Sequence, residues 1–599
     1  LQRLAGEYLG LNQALALAKA HDRLRGRAVS PSLTDFRLGL VSTAATDFLK
    51  PFLVASGLRH GLSIQVIAAD FGQLVQEALD PQSQINQAKP HAVLLAVDHR
   101  GLPLRRVGAS DWPLFAIDVA LEQLTLVRDA FRRNSGAACV VQTLPNAPAL
   151  LLGSLDAATA GTLRAAIAAI NAHLVRDVPE RGDVLLDVDW LAQSIGLEQW
   201  YDDRHWYLAR MACSQKALPL YADFAARTLA AVRGKSRKCL ILDLDNTLWG
   251  GVIGDDGLEG IALNPGDAQG EAFRAIQQTA LDLRKRGVVL AVCSKNGEAI
   301  ARQPFRSHSG MLLKEDDIAV FVANWDDKAT NIERIARSLD LGIDAMVLLD
   351  DNPVERAQVR AALPQVAVPE LGDDPTDYPR LLLAAGYFEA VSFTREDLTR
   401  AHEYRSNADR DRMLAGSRNL DDFLRSLEMR IQFASFNAAG RKRIAQLINK
   451  TNQFNVTTRR YTEQQVEAME RAADRYTLQV SVSDKFGDNG MISVVICDVS
   501  ATQWSVDTWL MSCRVLNRRI EEAILNRIVA DARAAGASRL VGPYIATERN
   551  DIVRELYSRL GFTPGATAGE WTLDLARYQP FDIVAAQSRE ETAKPAAAG

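Results

Sequence analysis

The sequence has few cysteines and no long apolar run. Its six cysteines form no C-x-x-C pair and show no spacing typical of metal ligands, which argues against a thiolate metal site. No apolar stretch approaches the roughly 18 residues that a membrane-spanning helix requires. The N-terminus also lacks the basic-then-apolar layout of a signal peptide. We therefore expect a reducing, cytoplasmic environment and no membrane partner.

The chain also lacks a strong excess of charge of either sign. A net charge of −5 over 599 residues gives no electrostatic reason to expect a nucleic-acid partner. The composition is otherwise that of a globular protein, and a chain of this length should hold about three or four domains. Because it begins at Leu1 and ends in a polar, linker-like stretch from Gln587, we expect a piece of a longer polypeptide.

Residues 1–234 predict a helical leader followed by a parallel α/β domain. Residues 1–30 carry leucines at the spacing of one amphipathic helix. From residue 31 to residue 234, apolar strand-like runs alternate with helical stretches, which is typical of a parallel sheet covered by helices. The predicted strands are 37–41, 63–67, 92–97, 138–141 and 184–188.

A serine and a D-x-x-H motif occur in this first domain. Ser42 ends the first predicted strand, and Asp202 and His205 form the motif. The layout resembles that of the SGNH hydrolases, in which a strand-end serine pairs with a D-x-x-H. Ser42 lacks a preceding Gly-Asp, and Ala96-Val-Asp-His99 stands where Gly-x-Asn-Asp is usual. We favour a structural or docking role for this domain, with an esterase as one alternative.

Two carboxylates follow the apolar run 239–242 in the centre of the chain. Asp243 and Asp245 lie two positions apart, and Thr247 and a glycine-rich turn come next. Side chains alternate along a strand, so both carboxylates leave its carboxyl end on the same side, where open α/β sheets bind ligands. Two such carboxylates repel each other unless a cation or a shared proton lies between them, and hard oxygen ligands suit Mg²⁺. The pair therefore predicts a magnesium site.

Three further polar groups follow at predicted strand or helix ends. Ser294 follows the strand 288–293, Lys328 begins a helix, and Asp350 and Asp351 follow the strand 345–349. This order of motifs resembles that of the haloacid dehalogenase (HAD) phosphatase superfamily. The resemblance covers residues 235–390 and implies a Rossmann-like fold, here without a large cap.

The HAD resemblance gives each residue a role. Asp243 would be the nucleophile that forms an aspartyl-phosphate, and Asp245 would be the general acid and base. The phosphate-binding residues would be Thr247, Ser294 and Lys328. Mg²⁺ would be held by Asp243, the main-chain carbonyl of Asp245, and a carboxylate of Asp350 or Asp351, with Asp351 preferred and Glu355 in support.

Residues 391–578 change to an α+β pattern. The runs 476–484, 490–499 and 505–512 predict an antiparallel meander, and a helix over 519–534 follows. Two more helices are predicted over 395–414 and 552–560. Together with Leu560-Gly-Phe562, this order resembles the GNAT acetyltransferase fold. The glycines of the GNAT pyrophosphate loop are replaced by Asn517 and Arg519, so we do not predict an acetyl-CoA enzyme. Residues 579–599 are predicted to be a linker.

Cys513 lies just before this loop. Arg514 is adjacent and a helix begins nearby, and both features favour a reactive thiolate. The motifs 243–251, 450–455, 486–490 and 512–515, taken together over residues 34–578, resemble those of the FkbH-like glyceryltransferase/phosphatase family of polyketide synthase assembly lines.

The FkbH-like resemblance implies a defined reaction. Such proteins take D-1,3-bisphosphoglycerate, remove phosphate at the HAD site, and load the glyceryl group onto the phosphopantetheine thiol of an acyl carrier protein. Cys513 would hold the acyl group as a thioester, and the carrier is expected in the same polypeptide. Residues that would bind the carrier or substrate are Asn452, Gln453, Asn455, Asn489, Arg514 and Arg518.

Two points stay open at this level. No histidine lies between His402 and the C-terminus, so a base for Cys513 must be a carboxylate, a distant histidine or solvent. The alternative function is a Mg²⁺-dependent HAD phosphatase whose flanking domains bind the carrier protein without any acyl transfer.

Overall fold

A computed structural model describes residues 1–5, 9–24, 33–107, 114–392, 420–512, 515–547, 550–565, 567 and 569–589. The chain forms two compact units, of which the first is Leu1–Ser236 with Glu389–Val391 and the second is Arg237–Phe388 with the residues from Ser392 on. Across these described ranges, no helix combines the length and the apolar character needed to cross a bilayer.

The first unit is a five-stranded parallel sheet covered by helices, which confirms the predicted fold class. The strand order is β2-β1-β3-β6-β7, and every neighbouring pair is parallel. The sheet has buried side chains on both faces, as expected for strands that are continuous apolar runs. The strands are β1 Thr34–Ser42, β2 Leu62–Ala68, β3 Ala92–Ala96, β6 Ala138–Gln142 and β7 Val184–Leu186, with a separate antiparallel pair β4 Arg105–Val107 and β5 Leu114–Ala116.

The predicted single helix over residues 1–30 is wrong, because the described part of this segment forms two helices. Gly10 separates them: its amide donates to Gln13 Oε1 at 2.8 Å, and glycine is unfavourable inside a helix. The second helix buries Ala14 and Leu17 in the core of the first unit. The helices of this unit are α1 Gln2–Ala5, α2 Leu11–Leu24, α3 Leu49–Arg59, α4 Leu74–Leu79, α5 Gln84–Ala88, α6 Asp118–Ser135, α7 Leu163–Glu180, α8 Val188–Ile195, α9 Leu197–Trp200, α10 Asp203–Ala209 and α11 Leu218–Val232.

The second unit begins with a four-stranded parallel sheet of order β10-β9-β8-β11. The strands are β8 Cys239–Leu242, β9 Val289–Ser294, β10 Val320–Ala323 and β11 Met346–Leu349. Because β8 lies between β9 and β11, the polar residues that follow these strands meet at one edge. The helices are α12 Ile253–Gly260, α13 Ala268–Lys285, α14 Glu298–Ala301, α15 Gln303–Ser307, α16 Lys328–Ser338, α17 Pro353–Ala362 and α18 Tyr378–Ala384.

The C-terminal part of the second unit is built on an eight-stranded mixed sheet. Its order is β17-β18-β16-β15-β14-β13-β12-β19, antiparallel except for the pairs β15–β16 and β12–β19. The strands are β12 Arg430–Ala434, β13 Arg475–Asp484, β14 Gly487–Val499, β15 Gln503–Met511, β16 Arg539–Pro543, β17 Thr563–Pro564, β18 Glu570–Asp574 and β19 Ala586–Arg589. The helices are α19 Leu420–Leu427, α20 Arg441–Lys450, α21 Glu463–Arg471, α22 Ile520–Ala534 and α23 Leu556–Arg559. The meander followed by a helix confirms the predicted α+β class.

Two predicted elements of this part differ from the structure. Residues 579–589, predicted as the start of a linker, instead pack on the sheet: Phe581 and Ile583 contact the core and β19 pairs with β12. The predicted helix 552–560 is a 3₁₀ turn, Asp551–Val553, followed by the short α23. The predicted helix over 395–414 lies outside the described residues.

Candidate active site

The predicted HAD residues converge at the carboxyl edge of the second unit's parallel sheet. Asp243 follows β8 directly, Ser294 ends β9, and Asp350 follows β11. Lys328 is the first residue of α16, which begins where the side chain of Asp327 accepts a hydrogen bond from the Thr330 amide. The ends of the apolar strands thus set the positions of the carboxylates at this edge of the sheet. The capped start of α16 places the lysine beside them.

Lys328 bridges two buried carboxylates. Its Nζ is 2.9 Å from Asp243 Oδ2 and 2.6 Å from Asp350 Oδ2. Lys328 and Asp350 are 3% and 0% exposed, so their charges interact with little screening by water. An ammonium held this close stabilises a buried carboxylate that would otherwise be costly to ionise.

The site raises the pKa values of its carboxyl groups and of its lysine alike. Burial raises the pKa of Asp243 to about 6; Lys328 opposes this shift and Asp350 adds to it. Burial would lower the pKa of Lys328, but Asp243 and Asp350 outweigh burial and hold it above its ordinary value. The pKa of Asp351 is raised by burial and by the nearby charge of Asp243. Lys328 therefore stays protonated, and the carboxylates need positive charge nearby in order to be ionised.

Three carboxylates form a group that could hold a metal ion. One oxygen each of Asp243, Asp350 and Asp351 lies within 4.8 Å of the others. Thr247 Oγ1 donates to Asp351 Oδ1 at 3.0 Å and accepts from the Asp351 amide at 3.1 Å. Arg356 Nη1 donates to the main-chain carbonyls of Asp350 and Asp351 at 2.9 and 2.6 Å. This rigid set of hard oxygen donors with more negative than positive charge fits Mg²⁺.

The side chain of Asp245 is not part of this acidic group. Its Oδ1 accepts from Trp249 Nε1 at 2.9 Å and from the Ile253 amide at 3.0 Å. Its Oδ2 accepts from Asn296 Nδ2 at 2.7 Å. Asp245 is one of the four residues predicted as ligands, and it can offer the metal only its main-chain carbonyl. Its carboxylate is held in place by three hydrogen-bond donors.

Asn296 and Lys295 were given no role from the sequence. Asn296 Nδ2 also lies 3.2 Å from Ser294 Oγ, so one amide ties the Ser294 loop to Asp245. Lys295 Nζ donates to Glu355 Oε1 at 2.6 Å. Glu355, predicted to support the metal, contacts Lys295 and is not one of the three clustered carboxylates. The polar Ser-Lys-Asn triplet that begins with the last residue of β9 was the sequence feature from which these residues could have been predicted.

Comparison with known proteins identifies the family. Residues 37–230 match the family described as FkbH, N-terminal domain. The N-terminal part of the protein BF1531 from Bacteroides fragilis, a crystal structure containing a phosphatase domain complexed with Mg, is 32% identical. The match covers 63% of this chain and 99% of that chain with a TM-score of 0.57. The chain is an FkbH-like protein of the HAD superfamily.

Other comparisons say less about this FkbH-like chain. The ribosomal-protein-S18-alanine N-acetyltransferase from Escherichia coli is 13% identical at a TM-score of 0.20, and the match covers 24% of this chain and 94% of that one. A similarity this low says nothing about activity. No match to the chain was found among curated protein sequences.

The SGNH-like residues of the FkbH-like chain have local partners. Ser42 is buried, and its Oγ accepts from the Ala44 amide at 3.0 Å. Asp202 accepts from the His205 amide at 3.0 Å as the cap of α10, and its second oxygen lies 2.8 Å from His205 Nδ1. Within the described residues, no hydrogen bond joins Ser42 to His205.

The loop before α22 places two residues other than glycine in a conformation where glycine is usual. Asn517 and Arg519 have φ values of 61° and 57°, in the left-handed region where glycine is usual. Arg519 is held there by Glu522, at 2.8 Å, and by Asp421, at 3.5 Å. Cys513 and Arg514, which precede this loop, lie outside the described residues.

The other predicted binding residues of the C-terminal part make contacts within it. Arg518 Nη1 is 3.1 Å and Asn489 Nδ2 is 3.4 Å from Asp484 Oδ2. Asn455 is fully buried, and its Oδ1 accepts from the Thr458 amide at 2.9 Å. The remaining two, Gln453 and Asn452, are half-buried, and Asn452 Oδ1 accepts from Arg460.

Proposed function

We propose that the chain is a bifunctional glyceryltransferase and phosphatase that uses D-1,3-bisphosphoglycerate. One site removes the ester phosphate, and a second loads the glyceryl group onto the phosphopantetheine thiol of an acyl carrier protein in the same polypeptide, in the cytoplasm. The observation that carries the phosphatase half is the cluster of Asp243, Asp350 and Asp351, with Lys328 in contact with the first two. The family membership and the sequence motif at Cys513 support the transfer half.

At the phosphatase site, the ionised Asp243 attacks the ester phosphorus and forms an aspartyl-phosphate. Lys328 favours that ionised form and offsets charge on the transferring group. Asp245, fixed by Trp249 and Asn296, gives a proton to the leaving oxygen and then takes one from the water that hydrolyses the intermediate. Mg²⁺, when held by the three clustered carboxylates, supplies positive charge that polarises the phosphoryl group.

At the transfer site, the thiolate of Cys513 attacks the acyl carbon of the acyl phosphate. The bond from carbon to the phosphate oxygen breaks, inorganic phosphate leaves, and a thioester forms on the enzyme. The carrier thiol then displaces Cys513 from the acyl carbon. An acyl phosphate is already activated, so neither step requires a nucleotide.

The test is incubation of the full chain with carbon-labelled bisphosphoglycerate, followed by acid quench and intact-mass analysis. We expect acid-stable glyceryl on the wild type and on Cys497→Ala, a matched change of a buried cysteine, but none on Cys513→Ala. Asp243→Asn should retain the ester phosphate on the product, whereas Asp255→Asn, an exposed change on α12, should not. Label that persists on Cys513→Ala would favour a phosphatase with carrier-binding flanking domains.

A further inference from the structure

The loops that follow the four strands of the phosphatase sheet are rich in carboxylates and contain one cation. They comprise residues 243–252, 295–297, 324–327 and 350–352. Their basic residue is Lys295, and their acidic residues are Asp243, Asp245, Asp326, Asp327, Asp350 and Asp351. Just beyond these loops, Lys328 is 3% exposed and already contacts two carboxylates, whereas 37% of the Lys295 side chain is exposed. Lys295 therefore supplies the ammonium of these loops that a dissolved ligand can reach.

The chain neighbours of Lys295 hold it at the phosphatase site. Ser294 ends β9 and is a predicted phosphate-binding residue, and Asn296 Nδ2 donates to Asp245 Oδ2 at 2.7 Å. Ser294 and Asn296 are both buried, so the backbone between them has little freedom to move. Lys295 therefore projects from a segment whose position is set by contacts of the site itself.

The contact between Lys295 and Glu355 lies beside the end of β8. This strand is flanked by β9, which precedes Lys295, and by β11, which precedes Glu355. Neighbouring strands are about 4.8 Å apart, so the ends of β9 and β11 are separated by about 10 Å. The 2.6 Å contact from Lys295 Nζ to Glu355 Oε1 thus joins the two loops on either side of the strand from which Asp243 extends. The ammonium is therefore placed beside the nucleophile's strand.

The ammonium of Lys295 retains donors for a ligand. A lysine ammonium carries three N–H donors, and among the described residues Glu355 is the one hydrogen-bond partner of Lys295. The Glu355 side chain is 13% exposed, so it anchors the lysine from the protein side while the other donors face solvent. An ion pair with an exposed member contributes little to stability, so Lys295 can take up a second anion at little cost to the fold.

The charge of the site requires such a donor when a substrate has two anionic ends. The carboxylates that carry this charge are Asp243, Asp245, Asp350 and Asp351. When ionised, they carry more negative charge than Lys328 and a bound Mg²⁺ offset together, and the ester phosphate of a substrate adds to it. A second anion on the same molecule is therefore repelled unless a further cation contacts it.

We propose that Lys295 binds the anionic group at the end of the substrate opposite its ester phosphate. The phosphatase site then selects phosphate esters of short chains that carry a second negative charge, such as a carboxylate or an acyl phosphate. The inference rests on the proposed function and names the substrate class of its phosphatase site. No bond forms or breaks at Lys295, because its contribution is to binding.

The test compares two substrates that differ only at that end. One is 3-phosphoglycerate, which has a carboxylate there, and the other is the glycerol phosphate of matching configuration, which has a hydroxymethyl group instead. Phosphate release by the full chain with Mg²⁺ gives kcat and KM for each. We expect Lys295→Met to raise the KM for phosphoglycerate about 10-fold or more with little change in kcat, because it removes a charged donor that binds the substrate throughout the reaction. The kcat/KM for glycerol phosphate should stay unchanged, and Lys295→Arg should retain most of the discrimination.

Lys285→Met is the matched control. Lys285 also contacts a single carboxylate, that of Asp282, at 3.0 Å, and it ends α13 shortly before β9 begins, at the opposite edge of the sheet. This variant should match the wild type with both substrates.

Three results would overturn the inference alone: a wild type with equal KM values for the two substrates, a Lys295→Met that weakens both substrates equally or neither, or a loss that falls on kcat and not on KM. A wild type that releases phosphate from neither substrate would overturn the proposed phosphatase activity, and this inference with it. The two failures are distinguishable, because the first requires a wild type that releases phosphate.

Discussion

Replacing Lys328 with methionine removes the ammonium that lies between two buried carboxylates. Its Nζ is 2.9 Å from Asp243 and 2.6 Å from Asp350, and neither carboxylate can turn to solvent, because both are buried. Removing one partner of a buried ion pair costs about 3–5 kcal/mol, since the remaining charge is left uncompensated. We expect Lys328→Met to lose about that much stability in the absence of a divalent ion.

Mg²⁺ should recover part of this loss, because it places positive charge among the same oxygens. A ligand at a hundredfold excess over its Kd stabilises a protein by about 2.7 kcal/mol. The assay is chemical denaturation of the full chain with EDTA or Mg²⁺, monitored for the transition of the second unit. We expect the midpoint of Lys328→Met to rise more with Mg²⁺ than the wild-type midpoint does.

Lys295→Met is the matched control. Lys295 contacts a single carboxylate, that of Glu355, and its side chain is 37% exposed, so its loss should cost less than about 1 kcal/mol. The reasoning fails if Lys328→Met is no less stable than Lys295→Met in EDTA, or if the two variants respond equally to Mg²⁺.

Three further outcomes follow from contacts of the described residues. Asn296→Ala removes the side-chain amide that donates to Asp245 Oδ2, so it should slow phosphate release about 10- to 100-fold without weakening Mg²⁺ binding. An unchanged rate of phosphate release would contradict this positioning role. Arg356→Met leaves three main-chain carbonyls, those of Asp350, Asp351 and Leu371, without this donor and should cost about 2–3 kcal/mol in denaturant unfolding. His91 Nδ1 accepts from the Arg37 amide, and burial and nearby arginines lower the His91 pKa to about 4. The unfolded chain, with a pKa near 6.5, therefore binds the proton first as pH falls, so the first unit should lose about 1–2 kcal/mol between pH 6.5 and 4, and His91→Gln should flatten this slope.

The residues of the phosphatase site could be predicted because each one follows a strand or begins a helix. The apolar runs that became β8, β9 and β11 place their ends at one sheet edge, so Asp243, Ser294 and Asp350 converge whatever the connections between them. The local sequence pattern was sufficient to predict these positions, and the same reasoning predicted the parallel sheet of the first unit.

Contacts between distant residues could not be predicted in this way. Asn296 lies 51 positions from Asp245, and Lys295 lies 60 positions from Glu355. Helical spacing suggested that Glu355 would support the metal, but an ammonium on a neighbouring loop holds it elsewhere. The strand β19 could not be predicted from the sequence either, because its polar residues owe their conformation to pairing with β12 and not to an apolar pattern.

The measurement that tests the central claim most directly is phosphate mapping on Asp245→Asn. An asparagine at this position can neither give a proton to the leaving oxygen nor accept the proton of the attacking water, so the intermediate should form slowly and then persist. After incubation with substrate labelled in its ester phosphate and a rapid acid quench, we expect label on the peptide that contains Asp243. That label should be absent from the Asp243→Asn, Asp245→Asn double variant. Label on a different residue, or phosphate released by the double variant at the wild-type rate, would contradict phosphoryl transfer through Asp243.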